Sequence, residues 1–311
     1  MGKVICLSSL SRNTISNMSL SRELMKRRRI VMMPARRGVP DIPLLGRYNY
    51  TSAQPGLEDH VHERAMEICF LVKGCQTYEV GGQSYRLKGG DVFITFPNER
   101  HSTGGSPEEK GVLYWMVLRV PAKAEGFLGL PPAQSGALLR ALLGIAPRHF
   151  SGSWKMKEHL DAVTTLYHQK DEPLRAFGMA NHLGAFLLEI LACSRKISEP
   201  SGMRSLASVL RHIDQHLGES LAVPELAALA GLSEARFKVR FKQETGMPPG
   251  EFVLRARIEE ARRLLTKGRL SVTHVAYDLG FSTSQYFATV FKRFAGETPS
   301  AFVEKSRRRN S

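Results

Sequence analysis

Between Tyr48 and Val120 the apolar residues come in short runs broken by glycine and proline. Met66 to Val72 ends at Lys73-Gly74, and Thr77 to Val80 ends at Gly81-Gly82. Ser84 to Leu87, Val92 to Phe96 and Val112 to Val120 follow, divided by Gly89-Gly90-Asp91 and by Pro97-Asn98. Runs of this length between turn residues predict strands, and their even spacing predicts a small β-barrel or sandwich. From about Gln134 to Lys196 the period changes: apolar residues recur three and four apart in Ala137 to Leu143, Leu160 to Leu166 and Leu174 to Leu191, as in helices with one buried face. Ser198-Glu199-Pro200-Ser201-Gly202 reads as a linker.

The last third repeats itself. Leu221, Ala227, Gly231, Leu232 and Ser233 correspond to Leu270, Ala276, Gly280, Phe281 and Ser282 at an offset of 49. Phe237, Phe241, Lys242, Gly246, Pro249 and Phe252 correspond to Phe287, Phe291, Lys292, Gly296, Pro299 and Phe302 at 50, so one residue is inserted between the two sets. The shared positions are those a packed helix pair with a tight turn requires. Pro224 suits an opening helical position, Gly231 and Gly280 permit left-handed turns, and Ser233 and its counterpart Ser282 suit the caps of the second helices. Phe237 and Phe241, like Phe287 and Phe291, lie one helical turn apart and face inward. At 100° per residue the opposite faces hold Ala235, Lys238, Val239 and Lys242 in the first copy, and Ser284, Gln285, Ala288, Thr289, Lys292 and Arg293 in the second. These are the candidate contacts to double-stranded DNA: Gln285 for adenine, methyls of Ala288 and Thr289 for thymine, and the basic residues for phosphate or guanine. Between the copies, Phe252 to Leu265 is a predicted helix interleaved with Arg255, Arg257, Arg262 and Arg263, which would set the separation of the two heads.

The charge supports a polyanion partner. The net charge is +15, with nine Lys/Arg against one acidic residue in 1–37, seventeen against seventeen in 38–200, and eighteen against eleven in 201–311. The opening segment, rich in Ser and Arg, is predicted to be a disordered basic tail, and Met25, Met32 and Met33 raise the hypothesis that translation starts within it. No apolar run approaches the eighteen or so residues of a membrane span and the first thirty residues lack a signal-peptide pattern, so a cytoplasmic protein is expected. Four scattered cysteines fit neither a disulfide framework nor CxxC metal spacing.

A second constellation lies in the strand-rich part. In HVHERAMEICFLVKG, His60 and His62 stand two apart, Glu67 follows, and His101 comes at FPNERH. Alternate strand residues share a face. Three imidazoles and a carboxylate suit a divalent transition metal such as zinc, iron, nickel or manganese, and equally suit hydrogen bonding to an organic effector without metal. Tyr78, Tyr85, Arg86 and Trp115 lie on the same strands and are candidates to line an effector pocket. Leu183, Phe186, Leu187, Ile190 and Leu191 form a stripe that serves either dimerisation or packing on the barrel.

Over 204–306 the chain resembles the AraC/XylS family of transcription regulators, through the AxxxGxS turn and the runs RFKxxFKxETGxxPxxF and GFSTSQYFATVFKRFAGETPSAF. It departs at Val239 and Thr289, where that family often has arginine, which shifts weight toward phosphate grip and DNA shape. The first half is similar to a cupin in its HxHxxxxE spacing, Gly74, the Gly90-Asp91 turn and Pro97 to His101, but has Glu99 where cupins commonly have glycine and one residue fewer before the histidine. The resemblances imply an α+β multidomain chain: a basic tail over 1–37, a cupin-like sensing barrel over 38–125, a helical connector over 126–198 in which the family commonly dimerises, and an all-α domain with two helix-turn-helix motifs over 203–308. They imply an effector-controlled regulator, more commonly an activator working with RNA polymerase, as a homodimer. A metal-dependent cupin oxygenase or isomerase carrying a DNA-binding domain is the alternative, and an architectural DNA binder a third. No further acid, base or nucleophile accompanies the histidines, which disfavours the enzyme.

Overall fold

Strict alternation makes the first strand. In Arg29-Ile30-Val31-Met32 exposed and buried residues alternate, and the segment forms β1 (Arg29–Met32), antiparallel to β2 (Leu44–Tyr50). The basic tail expected over 1–37 is therefore ordered sheet from Arg29, because Ile30 and Met32 enter the core. The structure, a computed structural model, describes residues 24–123, 126–196, 203–268 and 270–310. Residues 1–23 of the expected tail and the linker at 198–202 lie outside the described residues.

The sheet continues with β3 (His60–Val61), β4 (Ala65–Val80), β5 (Gln83–Lys88), β6 (Asp91–Thr95), β7 (Arg100–Ser102), β8 (Gly111–Arg119) and β9 (His149–Ser151). Its main path runs β1-β2-β8-β4-β6-β9, with β5 and β7 on the far half of β4 and β3 paired to β7. Two predicted strands are thus one: β4 passes through Lys73-Gly74 with a register shift between Leu71 and Lys73. Gly74 has φ of 101°, and a Cβ there would meet the Lys110 carbonyl oxygen at 2.5 Å, so only glycine fits the bend. Before the bend β4 pairs with β6 and β8, and after it mainly with β5 and β7, which curls the sheet. β9 falls inside the stretch expected to be a helical connector and extends the barrel through β6.

One face of the curled sheet, with Met66, Ile68, Phe70, Ile94 and Met116, packs on α1 (Pro132–Leu143), α2 (Trp154–His168) and α3 (Arg175–Ser194). The other face holds Tyr48, Cys69, Leu71, Tyr78, Phe93 and Leu113, and these side chains fill the barrel's concave side. By length and composition α3 meets the measure of a membrane span, contrary to the expectation. Its stripe of Leu183, Phe186, Leu187, Ile190 and Leu191 is nevertheless buried in the chain's own core, while Phe177 and Leu188 on the other side are exposed.

The last part is helical: α4 (Met203–Gln215), α5 (Val223–Leu229), α6 (Glu234–Thr245), α7 (Pro249–Thr266), α8 (Val272–Asp278), α9 (Ser284–Ala295) and α10 (Pro299–Asn310). α5-α6 and α8-α9 are the two copies, with Gly231 and Gly280 in the left-handed region at φ of 65° and 71°. Phe237 and Phe241 anchor one core with Val209, Leu226 and Ala227, and Phe287 and Phe291 anchor the other with Val275 and Ala276. α7 gives Val253 to the first core and Ile258, Ala261 and Leu265 to the second, so one rigid helix ties the heads together. The inserted residue sits in the second turn: Thr283, not Ser282, caps α9, its hydroxyl accepting from Tyr286 N at 3.1 Å. Ser233 occupies the cap position of α6 without a side-chain bond.

Candidate sensor centre and nucleic-acid interface

The β3–β7 pairing sets His60 opposite His101, and His62 reaches Glu67 across the turn into β4. The ligating atoms of His60, His62, Glu67 and His101 all lie within 4.8 Å of one another. The His62 Nε2 to Glu67 Oε2 separation is 2.8 Å. Backbone carbonyls fix two of the rings. His60 Nδ1 lies 2.8 Å from the Glu58 oxygen and His101 Nδ1 lies 3.1 Å from the Glu99 oxygen. A carbonyl only accepts, so each Nδ1 carries the proton and each neutral ring keeps its lone pair on Nε2. The His101 side chain is 1% exposed, and its Nε2 has no hydrogen-bond partner among the described residues, being 3.9 Å from the Glu67 carboxylate.

Burial pushes the Glu67 carboxyl up, but the His101 and His62 imidazoles outweigh it and hold the group at about 2. An ionised carboxylate in a buried place calls for a cation beside it. Burial lowers the His101 pKa, but the Glu67 carboxylate more than offsets this and raises it, so the two groups favour each other's charged forms. A metal ion would serve the same need, with ring N–H groups already held by carbonyls, the usual second support of ligating histidines.

Three residues of this centre were not picked out from sequence as contributors. Glu99, the departure from the cupin pattern, receives a two-pronged pair from Arg148 at 2.7 and 2.8 Å and accepts from Phe96 N at 2.8 Å, pinning the turn before His101. Asn98, at φ of 65°, accepts from Arg64 N through its side chain and donates its own N–H to the His62 oxygen, joining the two histidine-bearing turns. Cys69 donates its thiol to Glu67 Oε1 at 3.3 Å. Of the predicted effector residues, Tyr78 is buried near the centre, stacked on Phe93 at 5.0 Å. Arg86 is not there: it points toward the helical domain and pairs with Glu259 at 3.3 Å, because β5 lies at the domain junction.

On the helical side, Ala235, Lys238, Val239 and Lys242 on α6 and Gln285, Thr289 and Lys292 on α9 are exposed, and Ser284 and Ala288 are half-buried. The Thr289 hydroxyl donates to the Gln285 carbonyl oxygen at 3.0 Å, which leaves its methyl for contact. Arg293 departs from the expectation. It lies 3.5 Å from Glu251 and over the Phe294 ring, so it serves the domain junction more than a phosphate. The arginines of α7 are likewise occupied: Arg257 donates to the Gly280 and Glu219 oxygens and so braces the second turn, and Arg263 pairs with Glu260.

Sensor and reader meet along a polar seam. Gly74 N donates to the Gly246 oxygen at 3.4 Å, Lys88 Nζ to the Glu244 oxygen at 2.6 Å, and Ala53 N to the Arg293 oxygen at 2.8 Å. Lys110 pairs with Glu251 at 2.6 Å. At its buried middle, Arg255 binds Glu109 with two prongs and also faces Glu259 at 2.8 Å. The first head is therefore held by the C-terminal end of α6, and Val239 and Lys242 look into a cleft whose other wall is the barrel.

Residues 47–176 match the family model of an AraC-like ligand binding domain, and residues 226–305 match a helix-turn-helix domain. The chain is 26% identical over 259 residues to the HTH-type transcriptional activator RhaS of Escherichia fergusonii, covering 79% of this chain and 87% of that one. It is 25% identical over 244 residues to RhaS of Enterobacter sp. strain 638, covering 77% and 85%. Among solved structures, the DNA-binding domain of AdpA in complex with a target DNA is 34% identical, with a TM-score of 0.33, over 34% of this chain and 95% of that one.

Proposed function

The chain belongs to the AraC family of transcription regulators, with a ligand-binding barrel joined to a double helix-turn-helix reader, and from that premise we propose that it activates transcription as a cytoplasmic homodimer when an effector reaches the histidine centre. The relatives it matches over most of their length are transcriptional activators. Activation implies RNA polymerase as a partner.

The observation that carries the reading is the contact between the two halves. The sensor grips the C-terminal end of α6, so any change that ligand binding makes in the barrel is transmitted to a reading helix. His60, His62, Glu67 and His101 would hold a divalent transition metal, which would supply an open coordination position for an oxygen-bearing effector. The buried unpartnered Nε2 of His101 supports this. The exposed side of α3, with Phe177 and Leu188, supplies an apolar surface for a second copy.

Genome-wide mapping of bound DNA tests the reading, because discrete sites next to catabolic or transport genes are expected. Uniform, salt-sensitive coverage without discrete sites would sink specific regulation in favour of an architectural binder. Turnover of a small molecule by the purified barrel would favour the enzyme.

A further inference from the structure

The basic run Lys26-Arg27-Arg28-Arg29 belongs to neither the reader nor the histidine centre. All four side chains are exposed, on the segment that leads into β1 and on its first residue. Arg29 lies 3.8 Å from Glu108 and over the Trp115 ring at 4.9 Å. Arg28 donates to Gln54, a neutral partner, and lies over the Tyr50 ring at 5.5 Å, so its charge is not cancelled. Lys26 and Arg27 form no ion pair among the described residues.

This charge sits beside the second reading head. Gln54, which accepts from Arg28, follows Ala53, whose N–H binds the Arg293 oxygen in the last turn of α9 at 2.8 Å. A Cβ placed on Gly296, which ends α9, would lie 3.7 Å from the Ala53 and Gln54 backbone. Lys292 is exposed in the same turn. α9 has 12 residues, so it is about 18 Å long at a rise of about 1.5 Å per residue. The major groove is about 12 Å wide. A straight helix of this length that meets base edges with its first turn ends at the rim of the groove, and what adjoins its last turn lies near the phosphates there. What adjoins it here is the Ala53-Gln54 loop with Arg28. This seam is separate from the contact of Gly246 with Gly74 and Gly89 that restrains α6.

We propose that Lys26, Arg27 and Arg28 grip the DNA backbone beside the half-site met by α9, so that the sensor barrel is itself part of the nucleic-acid interface. This contact rests on the reading of α9 as a DNA-contacting helix. The chemistry selects a polyanion: three successive cations without a carboxylate partner continue the exposed charge of Lys292 across the seam between the domains. Phosphate contacts of this kind carry no base information and are read in the salt dependence of binding.

The test compares two full-length double variants of equal charge. Lys26→Gln with Arg27→Gln removes two cations and breaks no ion pair. Arg36→Gln with Arg37→Gln removes two from the turn after β1, where Arg37 lies over the Tyr167 ring of α2. Binding to a mapped operator is measured over a range of salt concentrations. The first variant is expected to lower the slope of log K against log salt by about 2, at about 0.9 for each phosphate contact. Its preference among single-base operator variants should be unchanged, and the second variant should keep the full slope. Hydroxyl-radical protection flanking the α9 half-site should disappear in the first variant alone. A slope that is unaltered in the first variant overturns the contact, and so does an equal fall in both, which net charge alone would explain. If the unaltered chain has no discrete operator, the regulator reading fails by itself, and the same slopes on duplex DNA of unrelated sequence still decide the contact.

Discussion

Glu109 of the sensor and Arg255 of the reader form a two-pronged ion pair, Nε to Oε2 at 2.6 Å, at the closed centre of the domain junction. The guanidinium side chain is 4% exposed. Removing one partner of a buried pair leaves the other charge uncompensated, which costs about 3–5 kcal/mol. Arg255→Ala is therefore expected to undock the halves without unfolding the barrel, since Arg255 belongs to neither apolar core of the reader. Small-angle scattering should show a larger radius of gyration, and a variant as compact as the unaltered chain would contradict this role.

Glu99 positions His101 through the Arg148 clamp and the bond from Phe96 N. Groups that orient metal-ligating histidines are worth about 10–100-fold in affinity. Glu99→Ala is expected to weaken binding of Zn²⁺ or Ni²⁺ by about that factor, and His62→Ala to abolish it. DNA binding to an operator in the absence of metal should be unchanged in both. Elemental analysis of protein purified without a histidine tag checks the starting point, and stoichiometric metal retained by His62→Ala would move the site away from these residues.

On the second reading helix, the two ends should differ in what they read. Gln285 stands in the first turn of α9, where recognition helices usually meet base edges, whereas Lys292 stands a turn or more later. Gln285→Ala should cost about 1–3 kcal/mol and relax preference at one base pair. Lys292→Ala should weaken all sequences alike and reduce the salt slope by about 1. Binding measured against a set of single-base operator variants at two salt concentrations separates the two behaviours. Sequence preference left intact by Gln285→Ala would place base reading elsewhere on the helix.

Much of this was legible because local patterns carried it. The 49- and 50-residue offsets located both heads, and the resemblance to a cupin grouped His60, His62, Glu67 and His101, which the structure brings together. What escaped depended on long-range pairing. Ile30 and Met32 look like part of a basic tail until β2 is placed beside them, and β9 is three residues that acquire meaning only against β6. Arg86 reads as an effector-pocket residue, Arg255 as part of a basic spacer helix and Arg293 as a DNA contact. The partners of the first two, Glu259 and Glu109, become visible once the two domains are packed together, and Glu251, the partner of Arg293, once α7 and α9 are packed within the reader.

Gly246 and Gly296 give a paired test of that packing. Both end a reading helix in the left-handed region, at φ of 79° and 83°, and each donates its N–H to the lysine oxygen four residues back, Lys242 or Lys292. An alanine at either position pays the same backbone strain, about 1–2 kcal/mol. Their surroundings differ. A Cβ at Gly246 would meet Gly89 N at 2.2 Å and the Gly74 oxygen at 2.9 Å, both backbone atoms of the barrel, whereas at Gly296 the nearest atoms are those of Ala53 and Gln54 at 3.7 Å. Gly246→Ala is therefore expected to open the junction and Gly296→Ala to leave it closed, with a similar loss of reader stability in each. Freed from the barrel, the α6 face should bind operator more tightly in Gly246→Ala than in Gly296→Ala. Equal compactness and equal DNA affinity in the two variants would show that the sensor does not restrain the first head.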